Sequence, residues 1–145
     1  MEITGSGSNS SPKFVTKSVT FTGATGLGEI GPVPIFNLTG SAHIKKITAW
    51  CETAVEGATA TISLGVTGVT TLWIGATTAT SLIANEFWQD ATPTTTNEAL
   101  STAMIDELIS TSIIVTVGTA DVTAGLVHFT AEYEPTSVGG TLVAA

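Results

Sequence analysis

Arginine is missing from this chain altogether, and only four lysines (Lys13, Lys17, Lys45 and Lys46) stand against twelve acidic residues. Arginine supplies the flat, two-pronged donor that grips phosphates and guanine edges. Clustered positive charge supplies the counterion release that drives binding to nucleic acid. Lacking both, and carrying a formal charge of −8, the chain is not built for direct contact with nucleic acid or attraction to an anionic membrane. The Lys45-Lys46 pair reads as a solvated strand edge, where lysine discourages unwanted pairing.

Cysteine is nearly missing too. Cys51 is alone, so there is no intramolecular disulfide framework and no sign of an oxidising compartment. In Ile47-Thr48-Ala49-Trp50-Cys51 it shares a strand face with Ile47 and Ala49, as a small buried hydrophobe does. Long apolar runs are absent: none approaches the ~18 residues of a membrane span. The first residues, MEITGSGSNSSP, lack the basic start and apolar centre of a signal peptide. The expected product stays in the cytoplasm where it is made and is not secreted.

Charged residues make up 11% of the chain, against about 25% in an average soluble domain. Threonine takes their place, with 28 copies. Its β-branch stiffens χ1 in a way that suits a pleated strand, and its hydroxyl wets an outer face without charge. With 43% hydrophobic residues over 145 positions, one domain with a real core is expected.

Apolar residues recur with period two. Val15, Val19 and Phe21 mark a first strand. The run His43 to Glu52 is a second, with Ile44, Thr48 and Trp50 on one face and Ile47, Ala49 and Cys51 on the other. Ala58, Ala60, Ile62, Leu64 and Val66 alternate with Thr59, Thr61 and Ser63. Short strands are read at Ile35–Thr39, Thr71–Ile74 and Thr80–Trp88. The stretch Ile113 to Pro135 reads as a β-hairpin: Val115 and Val117 alternate with Thr116, then Val127, Phe129, Ala131 and Tyr133 share a face. Pro32 and Pro34 suit a sheet edge or a bend. Between 93 and 111, Thr95–Glu98 fits a capping box, and Leu100, Met104 and Leu108 lie four apart, so a short helix competes with strand fragments. The expected fold is therefore all-β with less than about 15% helix: an antiparallel β-sandwich or jelly roll of about eight short strands. Residues 1–12 are read as a flexible arm, 13–136 as the sandwich and 137–145 as a C-terminal tail.

Candidate chemistry is sparse. His43 and His128 are the only imidazoles, and they lie on separate strands. Neither the ligand set of a metal site nor a base beside a nucleophile can be read from them. Glu86 with Asp90, or Asp106 with Glu107, are acid pairs of the kind glycosidases use, but paired acids also simply keep a surface wet. No cofactor and no metal is implied, and no catalytic activity is expected. Trp50, Trp73 and Trp88 stand out as candidate interface anchors or as a platform stacking on sugar rings, with core burial the simpler reading.

The runs His43-Ile44-Lys45-Lys46-Ile47-Thr48-Ala49-Trp50-Cys51, Ala58-Thr59-Ala60-Thr61-Ile62-Ser63-Leu64-Gly65-Val66 and Thr119 through Phe129 to Tyr133 and Pro135 resemble small tailed-bacteriophage virion proteins. Among these are jelly-roll capsid decoration (cement) proteins. The resemblance spans residues from about 27 to 137 and rests on structural patterns. It implies a protein on the capsid exterior that binds the major capsid protein, joins neighbouring capsomers and associates with itself, a trimer being the leading expectation. The rival expectation is a carbohydrate- or receptor-binding module of a virion, a head fibre or lectin-like domain.

Overall fold

The computed structural model describes residues 12–94 and 96–145. These residues form nine strands: β1 (Lys13–Thr20), β2 (Gly31–Thr39), β3 (Ala42–Glu56), β4 (Thr61–Val66), β5 (Val69–Thr78), β6 (Ile105–Ile109), β7 (Ile113–Gly118), β8 (Ala124–Pro135) and β9 (Thr141–Ala144). Strand accounts for 59% and helix for 5%, so the all-β expectation holds. The strands make a four-stranded sheet of order β1-β8-β3-β6 and a five-stranded sheet of order β5-β4-β7-β2-β9.

The pairing has a simple rule. β1 pairs with β8, β2 with β7, β3 with β6 and β4 with β5, all antiparallel. A single long hairpin with its tip between β4 and β5 would pair in this way. Rolling that hairpin into two layers adds the contacts of β8 with β3 and of β7 with β4. The result is a jelly roll, with β9 added beside β2.

Alternation drives the layering. β8 buries Val127, Phe129, Ala131 and Tyr133, and β7 buries Ile113, Val115 and Val117. Each Val, Ile or Phe among them contributes about 1.5–3 kcal/mol when removed from water. Bulges adjust the register where strict alternation fails. On β3 a register shift lies between Ile44 and Lys46, and it brings Ile44 to the same inner face as Ile47, Ala49 and Cys51, all fully buried. The expectation that Ile44 shares the face of Trp50 is corrected by that one inserted residue. A second shift between Pro34 and Phe36 turns both Ile35 and Phe36 inward. β9 reaches only Phe36–Thr39, so Pro32 and Pro34 stand where β2 has one neighbour. That is the open-edge position proline tolerates.

Several further expectations are corrected. The stretch Ile113–Pro135 is not a hairpin: β7 lies in the five-stranded sheet and β8 in the four-stranded one. The link between them crosses the end of the sandwich, where Val122 is fully buried and its N–H donates to the Gly28 carbonyl at 2.7 Å. The crossing is tight enough to require glycine. At Gly28 (φ +125°) a Cβ would come within 2.1 Å of the Val122 carbonyl oxygen, and at Gly57 (φ +155°) within 2.6 Å of that of Asp121. The loop between β1 and β2 thus fixes this crossing.

Residues 137–145 are not a patternless tail, because β9 pairs with β2 and buries Leu142 to 2% exposure. The 93–111 segment forms one 3-10 turn at Thr102–Met104 and then β6. Met104 is buried while Leu100 and Leu108 are exposed, so the three do not share a helical face. Pairing of β6 with β3 decides the conformation. Thr95, the first residue of the expected capping box, lies outside the described residues, as do residues 1–11 of the expected arm. Thr80–Trp88 is not a regular strand. It starts with a 3-10 turn at Ala79–Ser81 and then runs irregularly beside β3, through Cys51 N–H to Glu86 carbonyl (2.9 Å), Asn85 N–H to Cys51 carbonyl (2.7 Å) and Trp88 N–H to Ala49 carbonyl (2.9 Å). Lys45 and Lys46 are not on an edge strand, since β3 has β8 on one side and β6 on the other.

Candidate functional site

The outward side chains of the four-stranded sheet hold most of what chemistry the chain has. Ser18 on β1 and Trp50 on β3 both lie directly opposite His128 on β8, so the three residues form one row across the sheet. Ser18 Oγ lies 2.7 Å from His128 Nδ1. Glu52 Oε1, two positions along β3 from Trp50 and on the same face, lies 2.6 Å from His128 Nε2. A carboxylate only accepts, so the ring donates to Glu52 from Nε2, while Nδ1 pairs with the serine hydroxyl. The indole of Trp50 stacks on the same imidazole.

Hydroxyl, imidazole and carboxylate in line is the order of groups a hydrolase uses to activate a nucleophile. What surrounds them here differs from such a site. The row lies on the open face of a pleated sheet, with Glu52 and Ser18 exposed, and β8 is a central strand whose backbone is engaged on both sides by β1 and β3. Oxyanion donors must converge on the reacting atom, and an ordered ladder does not turn its N–H groups out of its own plane.

His43 occupies a second cluster on that face. Its Nε2 lies 2.9 Å from Asp106 Oδ1 and its Nδ1 3.8 Å from Glu134 Oε1. The two acids sit on opposite ring nitrogens, so they hold the ring between them and do not converge on a point where a cation would bind. Among the described residues no group of three or more His, Cys, Asp or Glu is arranged to hold a metal ion.

A cavity of about 260 Å³ opens beside β3, lined by Lys46, Thr48, Ala49, Phe87, Trp88, Gln89, Glu98 and Leu100. Gln89 holds its wall: its Nε2 donates to the Ala99 carbonyl (2.7 Å), and its Oε1 accepts from Ser101 N–H (2.6 Å). Trp88 closes the floor at 1% exposure, its Nε1 donating to Thr77 Oγ1 at 3.0 Å. The cavity is apolar within and carries one cation and one anion at its rim.

The three tryptophans part company. Trp88 and Trp73 (4% exposed) belong to the core, and Trp50 alone is half-buried at the surface. A platform of three stacking indoles is not present, and Trp73 and Trp88 are spent inside the subunit rather than free to anchor a contact. The other candidate acids act locally. Glu86 Oε1 accepts from Ile83 N–H (3.2 Å), and Asp90 Oδ1 accepts from Thr92 N–H (2.8 Å). Cys51 is fully buried, its thiol 3.1 Å from the Thr53 carbonyl oxygen. Burial, reinforced by the nearby Glu86 charge, pushes that thiol up to about 11.

The row Ser18–His128–Trp50 was beyond sequence reasoning because it depends on which residues of three strands stand opposite one another. The period-two pattern puts Trp50 and Glu52 on one face, but it is silent on register.

The chain is similar in fold to a chain of the cyanophage Pam1 capsid asymmetric unit, with a TM-score of 0.52 and 21% identity over 93% of this chain and 92% of that one. The two share an architecture along nearly their whole lengths. No protein-family profile matches the chain, and no curated protein matches it either. Among the described residues no helix is long and apolar enough to cross a membrane.

Proposed function

We propose that this chain is a structural virion protein that binds the outer surface of a phage capsid and stabilises contacts between capsomers, as decoration or cement proteins do. The observation that supports this reading most directly is the whole-chain likeness in fold to a chain of the Pam1 capsid asymmetric unit. The chemistry agrees with it. The polar clusters are built into sheet surfaces, and the one imidazole with a hydroxyl beside it lies on an open face. On this reading the protein is not an enzyme and takes no cofactor. Its partners are the major capsid protein and further copies of itself, in trimers that suit the threefold positions of an icosahedral shell. It is made in the host cytoplasm and ends on the capsid exterior. The acidic, arginine-free composition agrees with a position away from the packaged genome.

The test is direct. Purified protein is mixed with capsids of the encoding phage that lack it, and the capsids are sedimented. Saturable co-sedimentation, with a raised temperature of capsid disruption, is the expected result. Failure to co-sediment at micromolar concentration overturns the proposal.

A further inference from the structure

The ionisable residues are divided unequally between the two sheets. β1, β3, β6 and β8 hold all four lysines, both histidines and the acids Glu52, Glu56, Asp106, Glu107, Glu132 and Glu134. The strands β2, β4, β5, β7 and β9 hold none: GPVPIFNLT, TISLGV, VTTLWIGATT, IIVTVG and TLVA contain no acid, lysine or histidine. A protein with few charges has still placed every strand-borne charge on one layer.

The outward residues of the uncharged layer follow from register. Val33, Val115 and Leu64 face the core, so the next row outward joins Pro34, Ile114 and Gly65. At the β9 end Asn37 stands opposite Val143. Pro34 and Asn37 are exposed, Ile114 is half-buried, and Val143 is 53% exposed. Ser63 and Gly65, the outward residues of β4, are buried, so the open part of the face lies on β7, β2 and β9, where Pro32, Pro34, Asn37 and Val143 are exposed. The edges agree. Lys13 and Lys17 lie on edge strand β1, and Asp106 and Glu107 on edge strand β6, the usual guards against stray pairing. Edge strand β5 is ten residues long and has no such guard.

We infer that a second copy of this chain docks on the outer face of the five-stranded sheet. This rests on the self-association proposed above and names the surface responsible. Charge selects the occupant. Each copy carries a formal charge of −8, and like charges brought together at a contact cost several kcal/mol. Two copies therefore approach most cheaply through the layer where neither carries charge. The opposite layer does not allow this: Phe14 (64% exposed) and Leu108 (75%) are apolar there, but Glu132 lies opposite Phe14 and Asp106 stands two residues from Leu108. Copies grouped about a common axis turn their uncharged sheets inward and their charged sheets out.

The test is the mass of the full chain at micromolar concentration by light scattering, with Asn37→Lys/Val143→Lys as the face variant and Thr16→Lys/Thr20→Lys on the charged sheet as the control. Ile114→Lys is a second variant at the centre of the face, and circular dichroism verifies that each variant keeps its strands. The expected result is an oligomeric wild type and control, with association of the face variant weakened at least tenfold. A face variant that stays folded and keeps the wild-type mass overturns the inference, and so does a monomeric wild type. Capsid co-sedimentation runs in parallel. If wild type is monomeric, binds capsids and loses them on the face substitutions, the face belongs to the shell: this inference falls and the proposed function stands. If no form binds capsids while the mass still drops only in the face variants, the inference stands and the proposed function falls.

Discussion

The imidazole of His128 lies over the indole of Trp50, with ring centroids 5.7 Å apart and planes 21° from parallel. Two strands are tied by this stack on their solvent side, while the flanking pairs Ala49–Phe129 and Cys51–Val127 face the core. Replacing Trp50 with Ala removes the stack and uncovers the His128–Glu52 pair. We expect a loss of about 1–2 kcal/mol, the value of an aromatic pair plus part of its buried area, seen as a lower urea midpoint. If the cluster is structural, Ser18→Ala stays folded and alters no esterase or glycosidase turnover above the uncatalysed rate. Turnover that disappears with Ser18 or His128 would overturn the non-enzyme reading.

Thr77→Val tests the buried end of the other indole. Valine is close to threonine in shape but leaves Trp88 Nε1 without its acceptor at 3.0 Å. An unpaired buried donor costs about 1–3 kcal/mol. Equilibrium unfolding followed by tryptophan fluorescence measures it, and an unchanged midpoint would mean that another acceptor takes over.

Cys51 offers a pH test. Its folded-state pKa is raised from 9.0 to about 11 by burial first and by Glu86 second. The folded state therefore favours the protonated thiol. This contribution to stability is complete below pH 9 and is lost as pH rises towards 11. We expect slow alkylation of the native protein at pH 8, rapid alkylation after unfolding, and a falling urea midpoint between pH 9 and 11 that Cys51→Ala flattens. Rapid native alkylation at pH 8 would show that the thiol is accessible.

Leu142→Ala separates a strand from a tail. The side chain is buried against the core, and truncations of this kind cost about 2–5 kcal/mol. An exposed tail residue would change stability by less than about 0.5 kcal/mol. Differential scanning calorimetry distinguishes the two.

The layers of the fold were legible in the sequence; how they connect was not. Val127, Phe129, Ala131 and Tyr133 announce a half-buried strand by alternation alone, and they are buried as read. Alternation does not name the partner strand, so β7 and β8 look like neighbours until Val122 is seen plugging the end of the sandwich between them. Leu142 sits in a four-residue strand without enough length for a pattern, and burial opposite Leu38 across the β2–β9 ladder defines it. Ile44 was misplaced because a bulge leaves no mark in composition. Of the candidate site residues, the burial of Trp73 and Trp88 agrees with their apolar neighbours Leu72, Ile74 and Phe87. The Trp50–His128–Ser18 row required a register that no single strand encodes.

The nested pairing has a consequence for how the chain is made. β4 and β5 are joined by a two-residue turn and can meet as soon as both exist. β1 must wait for β8, more than a hundred residues later. Strand pairs separated this far close late and slowly, so β1 is among the last of these strands to find its place. A chain broken off early keeps β1 without a partner and never completes its four-stranded sheet. Both layers therefore wait for strands from the far half of the described residues, β8 for the one and β7 for the other, before they can close.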